Sequence, residues 1–318
     1  MKIVLTAIVL LLLSVSAGAG ERPKVVIVLI DGIPADVVES VSTPALDDIA
    51  GESGYTRAYV GGTPGEPSES PTVSSVGYSS LMTGTWSYKN NVWSNAIEAP
   101  NYDYWDMFRV AKHHDSQLVT SIYSTWTDNR TKLIGDGLPA AGGAKLDHYV
   151  DGFDLDTERF PVDPDSDYIR EIDTVVADAA AAHIEEVGPD LSWVYLQYTD
   201  DVAHLYGDSP EFAAAVQFMD QQTGKIWRAV QEREAAHDED WLVIVTTDHG
   251  RDAATGKDHG EQSERERTIW VVTNSDRLNE RFYQYPAIVD ILPSVAAHLG
   301  LTMPDEIRAQ LDGQSFID

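Results

Sequence analysis

Cysteine is absent from all 318 residues. That absence excludes disulfides, thiol nucleophiles, thiolate metal sites and lipid attachment at a cysteine, so stability must come from core packing or from metal ions on oxygen and nitrogen ligands. Positive charge is scarce as well. Lys and Arg number 22 against 52 Asp and Glu, a formal net charge of −30, which argues against binding to a nucleic-acid backbone or an anionic membrane surface. Beyond the first residues there is no apolar run long enough to span a bilayer. Internal repeats and low-complexity linkers are missing too.

What the chain does have begins with MKIVLTAIVLLLLSVSAGAG. A lysine, a short apolar stretch and a small-residue Ala17-Gly18-Ala19 site read as an export signal over residues 1–19, too short for a comfortable membrane span. The expectation is an exported protein, periplasmic or secreted, without stable membrane insertion after cleavage. Residues 20–318 are then of a length that one catalytic domain accounts for, and 43% hydrophobic residues supply an ample core.

Five apolar runs have the length of buried strands: Val25–Ile30, Leu118–Tyr123, Trp193–Tyr198, Leu242–Thr246 and Ile269–Thr273. Helical patterns lie between them. Thr43-Pro44 opens one with an N-cap and a proline at the first position. "SPEFAAAVQFMDQQTGKIWRAVQER" carries apolar residues at helical spacing, and "YPAIVDILPSVAAHLGL" is an apolar helix with a break expected at Pro293. Strand alternating with helix predicts an α/β fold around a mostly parallel sheet.

Ligands of such sheets bind at the carboxyl ends of the strands, and those ends carry a recurring signature. Val25–Ile30 runs into Asp31-Gly32, Trp193–Tyr198 into Asp200 and His204, and Leu242–Thr246 into Asp248-His249-Gly250, while His259 precedes the last strand. Asp with neutral His suits zinc, manganese or iron better than calcium or magnesium. So many ligands exceed the needs of one tetrahedral ion, and two divalent ions, zinc or else manganese, would use them all. An ion pair of that kind serves in-line displacement at phosphorus. The missing nucleophile belongs on a loop or helix start, and the hydroxyl-rich "SESPTVSSVGYSSLMTGTW" offers it, with a helix expected from near Tyr78.

Taken in order, "VIVLIDG", "STPALDDIAGESGYTRAYVGG", "PTVSSVGYSSLMTG", "YTDDVAHLYG", "TTDHG", "KDHGE", "DILPSVAAHLGL" and "LDGQSF" resemble the motifs of the alkaline phosphatase superfamily, in particular its type I phosphodiesterase/nucleotide pyrophosphatase branch. The resemblance spans most of the chain and implies a three-layer α/β sandwich. It implies Asp31, Ser74, Asp248 and His249 on one ion, and Asp200, His204 and His259 on the other. Ser74 falls at the position of the nucleophile, with Thr72 and Ser75 as alternatives should the loop register differ; Asp201 lies outside the pattern. The implied reaction is hydrolysis of a small-molecule phosphodiester or nucleotide pyrophosphate through a phosphoseryl intermediate.

Departures from the pattern bear on that reading. Gly77 stands where the phosphodiesterases carry an Asn that donates to a phosphate oxygen, and Tyr78 stands at the adjacent His position. The Gly77 backbone N–H, Lys89 or Arg251 are the candidates for the lost donor. A Cys/Ser-x-Pro-x-Arg motif is absent, which argues against a sulfatase. Alternatives are a phosphomonoesterase or phosphonate hydrolase of the same superfamily and, from another class, a degenerate metal- or anion-binding protein without catalysis. Trp86, Trp93 and Trp126 fall near the proposed site, with packing expected for at least two, and Asn129-Arg130-Thr131 matches a glycosylation acceptor.

Overall fold

Alternation along one strand explains the layering. In the computed structural model, which describes residues 22–318, the run RPKVVIVLI forms β1 (Arg22–Ile30) and is buried from Lys24 onward. The expected export signal lies outside the described residues. Successive side chains of a strand point to opposite faces. Val25, Ile27 and Leu29 therefore enter one apolar core, and Val26, Val28 and Ile30 enter another. A strand buried on both faces needs helices on both, and each such side chain stabilises the fold by about 1.5–3 kcal/mol relative to exposure.

The remaining strands are β2 (Tyr55–Tyr59), β3 (Thr120–Ser124), β4 (His148–Val150), β5 (Leu191–Leu196), β6 (Glu239–Thr246) and β7 (Thr268–Thr273). Their order across the sheet is β2-β7-β6-β1-β5-β3-β4. Strands β6, β1, β5, β3 and β4 run parallel, and β7 is antiparallel to both of its neighbours. The multi-turn helices are α1 (Pro44–Ala50), α2 (Ser74–Thr83), α3 (Met107–His114), α4 (Asp167–Glu186), α5 (Tyr198–Tyr206), α6 (Pro210–Ala236) and α7 (Ile291–His298). Helices α2, α3 and α7 cover the Val25 face, and α4 and α6 cover the Val26 face. The result is the mostly parallel α/β sandwich that the sequence predicts. No helix among the described residues is long and apolar enough to cross a membrane.

Boundaries differ from expectation where a side chain from elsewhere intervenes. The strand expected to reach Tyr198 stops at Leu196, because the buried Asp173 carboxylate of α4 accepts the N–H groups of Gln197 and Tyr198 and starts α5 there. Thr43 holds the N-cap position of α1 without a side-chain cap; Asp220 of α6 accepts from Ala45 and Leu46 N–H instead. Helix α2 begins at Ser74, four residues before Tyr78. Pro293 does not break a helix. The change from a 3-10 turn over Ile288–Asp290 to α7 comes just before it, and proline is tolerated in a first turn, where the N–H has no helical partner.

Candidate metal centre

Strand ends and one helix start converge on a single point. Asp31 follows β1, Asp248 and His249 come after β6 with Thr247 between, and Ser74 opens α2. All four side chains are buried. His249 Nε2 lies 3.4 Å from Asp31 Oδ1, 3.3 Å from Asp248 Oδ2 and 3.3 Å from Ser74 Oγ. The other ring nitrogen, Nδ1, donates to the Gly250 carbonyl at 2.9 Å, which leaves the Nε2 lone pair facing the carboxylates.

The carboxylates are held by one oxygen each. Tyr78 and Tyr195 hydroxyls donate to Asp31 Oδ2, Tyr195 at 2.7 Å, and Gly32 N–H donates to Asp248 Oδ1 at 3.1 Å. Asp31 Oδ1 and Asp248 Oδ2, the oxygens that face His249, are buried without a hydrogen-bond partner. Burial, reinforced by Asp248 and Asp200, pushes the Asp31 carboxyl well above its ordinary range. Burial likewise lifts Asp248 to about 7 and drives His249 well below its usual value. Enclosed carboxylates beside an imidazole that resists protonation form the arrangement that a cation relieves. Two carboxylates, one imidazole and a hydroxyl fit a divalent transition ion better than calcium or magnesium.

Asp200 and His204 lie one turn apart on α5, so both point to the same side of the helix. Asp200 Oδ2 is 3.4 Å from His204 Nε2. His259 enters on the loop over residues 251–259, which is wound around the Asp252 carboxylate; that group accepts N–H from Ala254, Thr255, Lys257 and Asp258. His259 Nδ1 donates to the Thr72 carbonyl at 2.8 Å, and its Nε2 lies 3.2 Å from His204 Nε2 and 3.8 Å from Asp200 Oδ1. Its ring stacks on His249 with centroids 3.7 Å apart. Tertiary folding thus brings every expected ligand to one place. Arg251 is there too, fully buried, with Nη2 against Asp200 Oδ1 and Nη1 3.3 Å from His204 Nε2. Against the opposing effect of burial, that guanidinium holds the Asp200 carboxyl well below its ordinary range.

Of the three candidate nucleophiles, Ser74 alone turns its hydroxyl to the ligand cluster. Ser75 Oγ donates to the Ser94 carbonyl at 2.8 Å, and Thr72 Oγ1 accepts from Gly260 N–H at 2.9 Å. The expected replacement donors lie elsewhere or are already engaged. The position of a Gly77 side chain would be filled by Asp248, whose Cβ and carbonyl oxygen sit 2.8 Å from a built Cβ, and the Gly77 N–H already donates to Val73. Lys89 pairs with Asp312 and the Gln310 carbonyl instead. Arg251 is fully buried and directs its donors at protein acceptors. Asp201 stays outside the ligand set and accepts from Ser166 and Gln197.

A pocket of about 130 Å³ opens over Ser74, lined also by Asp31, Tyr78, Asn95, Trp126, Tyr195, Gln197 and Asp200. Sequence reasoning missed Asn95, Tyr195 and Gln197. Asn95 sits in an exposed loop with no periodic signal. Tyr195, at the end of a buried strand before Asp200, was the one with a readable cue. Asn95 Oδ1 accepts the Ser75 N–H at 3.0 Å, so its amide nitrogen is the end left to donate. Among the tryptophans Trp126 lines the pocket, Trp86 stacks on Tyr59 at 6.0 Å, and Trp93 is exposed. Asn129 is buried with its amide nitrogen on Ser124 Oγ, which removes it as a glycosylation acceptor in the folded chain.

Comparison with known proteins agrees with this architecture. Residues 25–305 match the family described as type I phosphodiesterase/nucleotide pyrophosphatase. Among solved structures, the phosphonate monoester hydrolase of Agrobacterium radiobacter is 15% identical with a TM-score of 0.61, covering 92% of this chain and 76% of its own. A 2-O GAG sulfatase is 14% identical with a TM-score of 0.64, at 93% and 75% coverage. The lipoteichoic acid synthase LtaP from Listeria monocytogenes is 15% identical with a TM-score of 0.59, at 94% and 76% coverage. At such identities these three are likenesses of fold.

Proposed function

The chain belongs to the type I phosphodiesterase/nucleotide pyrophosphatase family, within the alkaline phosphatase-like superfamily, and from that premise we propose that it is an exported, metal-dependent phosphoric ester hydrolase with Ser74 as nucleophile. One observation carries the proposal. The Ser74 hydroxyl stands at a helix N-terminus, 3.3 Å from His249 Nε2, beside two buried carboxylate oxygens that lack partners. The residues that would hold an ion there are Asp31, Asp248, His249 and Ser74 itself. A divalent ion bound by them would lower the pKa of the serine hydroxyl and offset charge on the phosphoryl group.

The chain's own residues supply the rest. Helix α2 points its positive end at Ser74, which favours the alkoxide. Tyr78 and Tyr195 hold Asp31 by Oδ2, so that Oδ1 keeps facing the cluster. Ser74 Oγ attacks phosphorus and the ester oxygen departs opposite to it. Water then attacks the phosphoserine from the vacated side and releases Ser74. Asn95 supplies the amide donor that the glycine at position 77 lacks, aimed at a phosphoryl oxygen in the pocket.

The substrate class proposed is a small phosphodiester or nucleotide pyrophosphate. The pocket of about 130 Å³ admits a phosphoryl group, and ester substituents would extend outward past Trp126. That small volume also favours a second reading, a phosphomonoesterase or phosphonate hydrolase, whose substrates carry less bulk. A net charge of −30 disfavours nucleic-acid polymers as substrates.

The test is hydrolysis of bis-p-nitrophenyl phosphate and p-nitrophenyl phosphate by the same zinc- or manganese-loaded sample, with and without chelator. Ser74→Ala should lose turnover by about 10³-fold or more while metal content stays near that of the wild type. Wild-type activity in Ser74→Ala would refute the nucleophile. Absence of chelator-sensitive hydrolysis of any ester would move the chain to a non-catalytic binding protein.

A further inference from the structure

Arg251 follows the Asp248-His249-Gly250 triplet, and its side chain is fully buried. A guanidinium has five N–H donors in a fixed fork, and every one finds an acceptor. Nε donates to the Gly32 carbonyl at 3.2 Å, and Nη1 to the Lys257 carbonyl at 3.0 Å and His204 Nε2 at 3.3 Å. Nη2 donates to the Asp200 carbonyl at 3.1 Å and to Asp200 Oδ1. The chain also makes room for this group. A Cβ built at Gly32 would lie 2.5 Å from Arg251 Nη2 and 2.9 Å from Asp200 Oδ1, so the backbone turn after β1 leaves space for the ion pair.

Building on the metal-dependent reading above, we propose that Arg251 takes the place of a second cation, so that the centre holds one divalent ion, on Asp31, Asp248, His249 and Ser74.

Lone pairs decide the matter. A second ion would need Asp200, His204 and His259. Arg251 engages one oxygen of Asp200 and the Nε2 lone pair of His204, which leaves Asp200 Oδ2 and His259 Nε2. His249 Nε2 also lies near Asp200 and His259, but it is already the shared neighbour of Asp31, Asp248 and Ser74 and has one lone pair to give. Two free ligands are fewer than the three that catalytic zinc sites present. Charge balance points the same way. With Ser74 in its hydroxyl form, Asp31, Asp248 and Asp200 carry three negative charges, which one divalent ion and one guanidinium neutralise; a second divalent ion would leave an excess of positive charge next to a buried, permanently charged arginine. Arg251 is a positioning residue in this arrangement, since its donors are all taken up within the protein.

The contrasting centre, with paired ions and Arg251 merely beside them, makes different predictions for stoichiometry. The full chain is reconstituted with excess zinc, and separately manganese, passed through a desalting column, and its metal counted by mass spectrometry. Wild type should retain about one ion per chain as a single-ion centre requires, and His204→Ala, a change at a half-exposed side chain, should retain the same number. Asp31→Asn should lose the ion. Arg251→Met should gain a second ion, and Arg251→Lys, which keeps the charge, should not. Two ions in wild type, falling to one in His204→Ala, would overturn the proposal and leave the hydrolase reading intact. No ion in wild type under any condition would overturn both. The wild-type and His204→Ala counts decide the question even where Arg251→Met fails to fold.

Discussion

At the scale of single residues, the missing Cβ of Gly77 matters more than any donor it might have supplied. Its place is filled by Asp248 at 2.8 Å. Gly77→Ala should therefore displace Asp248 or the N-terminal turn of α2, costing about 1–3 kcal/mol as other overpacked sites do. Urea denaturation measures the cost, and a variant as stable as wild type would show that α2 can shift freely. Asn95 is the complementary case, being exposed and tied by its oxygen to Ser75 N–H. Asn95→Ala should lower kcat by about 10²-fold, the effect of losing one oxyanion donor, and cost about 0.5–2 kcal/mol of stability because the Ser75 N–H at the start of α2 loses its acceptor. An unchanged kcat would remove Asn95 from the chemistry. Residue identities at the site were legible in the chain because Asp, His and Ser stood at strand ends and a helix start. The exposed loop of Asn95 was not, since nothing in its local spacing says where the loop folds back.

Helices and loops show how the site is aimed. Helix α5 carries Asp200 and His204, and its start is set by Asp173 of α4, which accepts from Gln197 and Tyr198 N–H and from Thr125 Oγ1. Burial lifts the Asp173 carboxyl from 3.8 to about 7. A folded-state pKa above the unfolded one means that the folded chain retains a proton the unfolded chain releases. That contribution to stability is complete below 3.8 and is lost as pH rises through about 7. Asp173→Asn, which keeps an acceptor and cannot ionise, should gain in stability relative to wild type between about pH 5 and about pH 8. Denaturation of both proteins at the two pH values checks the sign. A stability difference that stays constant across that range would mean Asp173 titrates at its ordinary value. The strand expected to run to Tyr198 ended at Leu196 for the same reason. Periodicity reads apolar runs, and a distant carboxylate that captures two backbone N–H groups leaves no trace in the local pattern.

Over the whole molecule, the net charge of −30 sets an electrostatic background that salt can screen. The Debye length falls from about 10 Å at 0.1 M to about 3 Å at 1 M, which weakens repulsion among surface carboxylates more than it weakens the buried Asp200–Arg251 pair. The melting temperature should rise with sodium chloride over that range, and calorimetry that shows a flat or falling trend would mean self-repulsion is not limiting. The sheet architecture was legible at this scale too. Runs such as VVIVLI are apolar on both faces, and a sheet between two helical layers, as parallel sheets are, buries both. Candidate ligand types and their sequence positions therefore followed from local pattern and motif order, whereas the order of strands across the sheet did not. Nor did lone-pair directions. Whether Ser74, Thr72 or Ser75 faces His249, and whether Asp200 meets an ion or a guanidinium, depends on contacts between residues up to 219 positions apart. Such contacts exist only once the β1, β6 and α5 ends are packed together, because a hydrogen bond is directional over about 3 Å while a sequence pattern records only spacing along the chain.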